Sequence, residues 1–122
     1  EVSEYISIIT MHPVSGEESR RIERLGSMQG LIATNPDCLG CSLTVEAGEG
    51  KSICYMERWL TRQALDRHVR SSLYSRVLEA MELSQVLPKV EFFEAREVGG
   101  LDFLEQVRVY SLSVPSDNKT AV

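Results

Sequence analysis

No stretch of the chain stays apolar for anything close to the roughly 20 residues that cross a bilayer, so no transmembrane helix is expected. Positive charge is also short: 13 lysines and arginines stand against 18 acidic residues, a formal charge of −5. No basic run interrupts that balance, which argues against a nucleic-acid partner and against binding to an anionic membrane surface. Cysteine is scarce and odd in number, at three. A disulfide framework is therefore not expected, and a reducing compartment, the cytosol, is. No secretory leader is expected at the start of the chain. There are no repeats, no low-complexity tracts, no glycine-rich phosphate loop, no Ser-His-Asp order and no paired-carboxylate motif. Nucleotide-binding, hydrolase and glycosidase chemistry thus find no support.

What is present is the composition of an ordinary globular domain, 43% apolar and 25% charged over 122 residues. That length supports a single domain with a core of its own, held without disulfides or metal.

Hydrophobic patterning divides the chain cleanly. Tyr5 to Met11 is apolar on both parities and reads as a strand covered on both faces, ended by Pro13. Ser15-Gly16-Glu17-Glu18 has the form of a capping box. It precedes a helix from about Glu17 to Thr34 with Ile22, Leu25, Met28 and Ile32 as the buried stripe. Asn35-Pro36-Asp37 is a stop. A strand from Leu39 to Val45 places Cys41, Leu43 and Val45 on one face. Gly48 to Lys51 makes a hairpin loop, and Ser52 to Leu60 returns as a third strand. Thr61 is a candidate cap for a helix carrying Leu65, Val69, Leu73, Val77 and Met81, with Ser71-Ser72 as a point of breakage. Val90 to Val98 reads as a fourth strand, and Gly99-Gly100 as a breaker. Residues 1–100 form the domain in this reading and 101–122 a C-terminal arm and tail. The arm has helical spacing at Leu101, Phe103, Leu104 and Val107, then strand-like alternation from Val109 to Val114 and a loose polar tail.

The order β-α-β-β-α-β predicts an α+β, ferredoxin-like fold: an antiparallel sheet with two helices on one face. Helices cover only one face of such a sheet. The two-sided apolarity of the first strand and the Phe92-Phe93 pair therefore predict a homodimer with sheet packed against sheet.

One segment carries most of the functional signal. From Ser52 to Leu78 a strand bearing Glu57 and Trp59 runs through a Thr cap and Ala64-Leu65 to His68. With Pro13 to Gly16 and the turn Pro36-Asp37-Cys38-Leu39-Gly40, this order resembles the antibiotic-biosynthesis-monooxygenase family over roughly Tyr5 to Val98. The resemblance implies a dimeric α/β barrel whose C-terminal segments reach across to the neighbour, and a pocket between sheet and helices in each subunit. It also implies oxidation of a quinol or polycyclic aromatic by dioxygen, without metal, flavin or other cofactor. The substrate is deprotonated and its anion passes an electron to oxygen.

On the residues themselves, His68 is the side chain whose ordinary pKa suits a base near neutrality, and it is the candidate catalytic residue. A histidine bridging structural groups is the other reading. Tyr55, Glu57 and Trp59 share strand parity, so all three project to one face. They are candidate substrate-binding residues, Tyr55 and Trp59 walling an aromatic ring, with core aromatics and a structural ion pair of Glu57 as the alternatives. His12, before Pro13, reads as solvated.

Cys38-Leu39-Gly40-Cys41 with Cys54 and His68 has a zinc-like inventory. In a regular strand, however, Cys38 and Cys41 point to opposite faces, so inert thiols are expected and no metal is. Haem-cleaving relatives on this scaffold use an asparagine on the first strand, and Ile6-Ser7-Ile8-Ile9-Thr10 has none, which argues against haem cleavage. Two functions remain: a cofactor-free monooxygenase of a small aromatic molecule, and a non-catalytic dimeric binding or interaction module. A polar pocket beside His68 favours the first; a closed helix–sheet interface favours the second.

Overall fold

A computed structural model describes residues 3–47, 51–82 and 84–113. The elements run β1 (Ser3–Met11), α1 (Glu18–Ala33), β2 (Cys38–Val45), β3 (Ile53–Trp59), α2 (Arg62–Arg70), α3 (Ser75–Glu82), β4 (Lys89–Arg96) and α4 (Leu101–Ser113). The four strands form one sheet in the order β2-β3-β1-β4, antiparallel throughout. With the helices packed on one face, this is the ferredoxin-like fold that the alternation of elements predicts.

Strand parity decides what is buried. Ser7, Ile9 and Met11 of β1, and Ile53, Tyr55, Glu57 and Trp59 of β3, are buried beneath the helices, while Ile6, Ile8, Cys54 and Met56 on the other face are half-buried. Helix α1 contributes Leu25, Met28 and Ile32 to the core, and α2 and α3 contribute Ala64, Leu65, Val77 and Ala80. Each large apolar side chain buried this way contributes roughly 1.5–3 kcal/mol.

Several local details differ from the sequence reading. The Ser15 cap is not made: Glu17 holds the cap position of α1 without a side-chain bond. Glu18 Oε1 accepts instead from Gly16 N–H at 3.0 Å, one residue past the bond such a box makes. Arg21, rather than Ile22, shares the buried stripe of α1. Cys38 pairs with Trp59 and Gly40 with Arg58, so Leu39 is an extra residue, a β-bulge. The bulge restores Cys38 to the parity of Cys41, and both face the helices, contrary to the alternation expected of a regular strand. Cys54, opposite Thr10 and Thr44, lies on the other face.

Thr61 caps α2 as expected, its hydroxyl accepting from Ala64 N–H at 3.0 Å. The helix breaks at Ser71-Ser72, where the Ser71 hydroxyl donates to the His68 carbonyl at 2.6 Å. Val69 is turned outward, at 36% exposure.

The arm is one helix to Ser113, with no extended piece within the described residues; the rest of the strand-like run and the tail, like the loop at Gly48 to Gly50, lie outside them. Leu101, Phe103, Leu104 and Val107 of α4 are all exposed. Gly99, at φ +154°, is required where β4 turns into α4, since a Cβ there would meet Phe103 Cβ at 2.5 Å.

Candidate active site

The buried half of β3 ends in a polar cluster. Glu57 is fully buried, and three groups reach its carboxylate. Tyr55, two residues back on the same face, donates its hydroxyl to Oε2 at 2.6 Å. Trp59, two residues on, donates its indole N–H to Oε1 at 3.1 Å. His68 comes down from the last turn of α2 and sets Nε2 2.9 Å from Oε2. The Cys41 thiol donates to the Tyr55 oxygen at 3.5 Å, which extends the chain of bonds to β2. The imidazole is held from both sides, with the Trp59 ring centroid 4.7 Å away and the Tyr74 ring edge-on at 5.3 Å. With Nε2–H donating to the carboxylate, the lone pair lies on Nδ1, which has no hydrogen bond among the described residues. A carboxylate thus fixes the tautomer and orientation of an imidazole whose other nitrogen is unclaimed, an arrangement suited to accepting a proton.

Burial and the Glu57 charge dominate the ionisation of the surrounding groups. Tyr55 is held far above the ordinary tyrosine range, first by burial and then by Glu57. Tyr74 is pushed up to about 12 by the same two causes, partly relieved by Ser7. Burial also raises the Cys38 and Cys41 thiols, which keeps them protonated and unreactive. Both tyrosines give up a proton less readily folded than unfolded. Their contribution to stability is therefore complete below the ordinary value near pH 10 and is lost as pH climbs toward 12. The expected result is that Tyr55 and Tyr74 ionise only as the protein unfolds. Absorbance at 295 nm followed beside far-ultraviolet circular dichroism checks it. Ionisation of every tyrosine by about pH 11, with native dichroism retained, would contradict the packing described.

The structure brings together all four residues singled out in the sequence, His68, Glu57, Trp59 and Tyr55. None of the last three lines an opening, since each is fully buried, and His68 keeps only 7% exposure. The open space is next door. A groove of about 410 Å³ runs between α2 and β4, walled by Tyr5, Leu65, Val69, Phe92 and Phe93, with Arg62, Arg70, Asp66 and Glu94 adding two charges of each sign. A larger hollow of about 660 Å³ between α1 and α3 is lined by Arg24, Ser27, Arg76, Glu79 and Glu82; neither it nor the groove is lined by a residue of the cluster. The groove is the better candidate, because Leu65 belongs to the same helix face as His68 and Phe92 sits two strands from Glu57.

Two members of the site escaped the sequence reading. Ser7 is fully buried beside Glu57 in the β1–β3 register. Tyr74 is 4% exposed at the start of α3, against His68. A lone hydroxyl on the buried parity of an otherwise apolar strand was the available signal for Ser7.

The antibiotic biosynthesis monooxygenase model matches residues 4–80, well over half of the chain, and spans the whole cluster. The chain belongs to the antibiotic biosynthesis monooxygenase family. Solved structures agree on the fold. The Rv0793 protein of Mycobacterium tuberculosis is 21% identical, covering 80% of this chain and 99% of its own, with a TM-score of 0.69. A Caulobacter crescentus protein provisionally designated an antibiotic biosynthesis monooxygenase is 18% identical, covering 79% and 92%, at 0.69. A Nitrosomonas europaea protein with the same provisional designation is 12% identical, covering 82% and 97%, at 0.70. No curated protein matches the chain. Among the described residues, no helix of this family member is long and apolar enough to cross a membrane, and no cluster of three or more potential metal ligands occurs.

Proposed function

We propose that this family member is a cofactor-independent monooxygenase of a quinol or related polycyclic aromatic. The observation that carries the reading is the buried Glu57–His68 contact of 2.9 Å beside an apolar groove large enough for a two-ring substrate. In this scheme the ring lies between Phe92 and Leu65, and His68 Nδ1 takes the quinol proton. The resulting anion passes an electron to dioxygen, and the radical pair closes to a ring peroxide. Loss of water then leaves a hydroxyquinone. For a naphthoquinol the balance is quinol plus O₂ to hydroxyquinone plus H₂O. The substrate supplies all four electrons, so no outside reductant enters.

Oxygen uptake over a panel of naphthoquinols and polyphenols tests the proposal. Turnover that survives chelators is expected. Tight binding of an apolar ligand with no uptake on any member of the panel would replace the enzyme with a binding module, a reading favoured by the sealed state of Tyr55, Glu57 and Trp59.

The working unit in this proposal is a cytosolic homodimer. Its cysteines are unpaired among the described residues, in keeping with a reducing compartment. The helix-free face of the sheet presents Ile6, Ile8, Met56 and Phe93 around the Glu4–Arg58 ion pair. An apolar face of this kind is stabilised by a second copy. Helix α4, whose apolar side chains are exposed, packs on that copy in the same scheme. Sedimentation at micromolar concentration is expected to show a dimer, converted to monomer by Ile8→Asp and weakened by truncation after Gly100. A stable wild-type monomer would refute the assembly.

A further inference from the structure

The charges in the groove between α2 and β4 are not all paired. On the helix side the wall is Arg62, Leu65, Asp66, Val69 and Arg70, whose spacing puts all five on one side of α2. Two of these charges cancel, since Arg62 Nε bonds Asp66 Oδ1 at 2.9 Å. Arg70, and Glu94 on the β4 wall, line the same groove with no ion pair or hydrogen bond among the described residues. The groove thus keeps one free guanidinium and one free carboxylate.

The path of the chain sets these two at opposite ends. Tyr5 pairs with Trp59 on one side and with Glu94 on the other, so Glu94 shares a rank with the last residue of β3. Helix α2 opens at Arg62, directly after that rank. Strands β3 and β4 are both antiparallel to β1, so the chain between them has to travel back over the sheet. Arg70 is the last residue of α2 and lies about 12 Å from Arg62 along the helix axis. Glu94 therefore marks the end where α2 begins, and Arg70 the end where it stops. Leu65, Val69 and Phe92 supply an apolar stretch between them.

We infer that the groove takes a hydroxylated two-ring aromatic that carries a single carboxylate, with the acid at Arg70 and a ring hydroxyl at Glu94. A guanidinium offers a planar fork of donors that matches a carboxylate. An ionised Glu94 only accepts hydrogen bonds, so it takes a hydroxyl donor and repels a second acid. Two fused rings substituted at both ends reach from one charge to the other. The inference rests on the proposed reading of the groove as the substrate site, and extends it from shape to charge.

Calorimetric titration under nitrogen with 6-hydroxy-2-naphthoate, 2-naphthol and naphthalene-2,6-dicarboxylate tests this. Wild type is expected to bind the hydroxynaphthoate about fivefold more tightly than 2-naphthol, near the upper limit for an ion pair open to solvent. Added salt should shrink that margin. Arg70→Gln should erase it and Arg70→Lys should keep part of it. Arg67→Gln makes the same change in net charge on α2 but off the groove, where Arg67 faces Asp37, and should keep the margin whole. The dicarboxylate should bind more weakly than the hydroxynaphthoate, and Glu94→Gln should remove that difference. Equal binding of hydroxynaphthoate and 2-naphthol by wild type overturns the charge assignment and leaves the groove reading standing. A margin lost equally in Arg67→Gln and Arg70→Gln assigns it to the overall field and also overturns it. If wild type binds none of the three, the groove reading falls and this inference with it.

Discussion

His68→Ala is expected to cut turnover of any quinol the protein oxidises by about 10²–10⁴-fold, the usual contribution of a positioned general base. That range corresponds to about 2.7–5.5 kcal/mol of transition-state stabilisation. The size follows from the geometry. His68 is the only imidazole in the cluster, Glu57 fixes it at 2.9 Å, and Trp59 and Tyr74 fix its plane. Tyr55, Tyr74 and the two nearby thiols are all shifted toward their protonated forms, so none of them substitutes as a base near neutrality. His68→Gln separates chemistry from architecture, because its amide N–H can still donate to Glu57 while no basic nitrogen remains. Turnover should fall as far as in His68→Ala, and stability should fall less. Oxygen-uptake rates beside thermal melts check both statements, and wild-type turnover in either variant would remove His68 from the mechanism.

The legible parts of the structure are those governed by local periodicity. Tyr55, Glu57 and Trp59 share a face because strand side chains alternate, and nothing in the tertiary structure overrides that. Thr61 caps α2 and Ser71-Ser72 breaks it because hydroxyls so close in sequence reach backbone groups without help from the rest of the fold. What was not legible depends on contacts distant in sequence. The bulge at Leu39 shifts one residue past β3 and reverses the face of Cys38. Gly40 was the one local sign, since an isolated glycine within a strand often marks a bulge, but it does not say which residue is extra. Arg21 takes the most buried position ahead of Ile22, which still packs against the core, because the docking of α1 sets its rotation; its Nε and Nη1 are buried without a hydrogen-bond partner among the described residues. Val69 turns outward for the same reason, and in doing so becomes a wall of the groove. The union of His68 with Glu57 is a contact across 11 residues, set by how α2 lies on the sheet. Sequence placed each partner on an element and offered an ion pair of Glu57 with a helix residue as one alternative, without naming His68 as that residue.

Glu57→Ala is expected to lower the free energy of unfolding by about 3–5 kcal/mol, because this one buried carboxylate is the acceptor for three donors at once. Removal of the carboxylate leaves the Tyr55 hydroxyl, the Trp59 indole N–H and the His68 Nε2 without their acceptor. Tyr55 and Trp59 are fully buried and His68 nearly so, so water reaches them poorly. Each orphaned group carries about 1–3 kcal/mol of unrecovered desolvation, and the vacated volume adds a cavity. Relaxation among the three keeps the total below the simple sum. Against a total stability of about 5–15 kcal/mol for a domain, the loss is large, and a fall in Tm of roughly 10–20 °C should accompany it. Glu57→Gln keeps the volume and one acceptor oxygen but turns an amide N–H toward groups that are themselves donors, so it should fall between wild type and Glu57→Ala. Urea unfolding of the three proteins measures the series. If Glu57→Ala unfolds within about 1 kcal/mol of wild type, the three donors have other partners. The carboxylate would then neither organise the core nor hold His68 in the orientation on which the proposed chemistry depends.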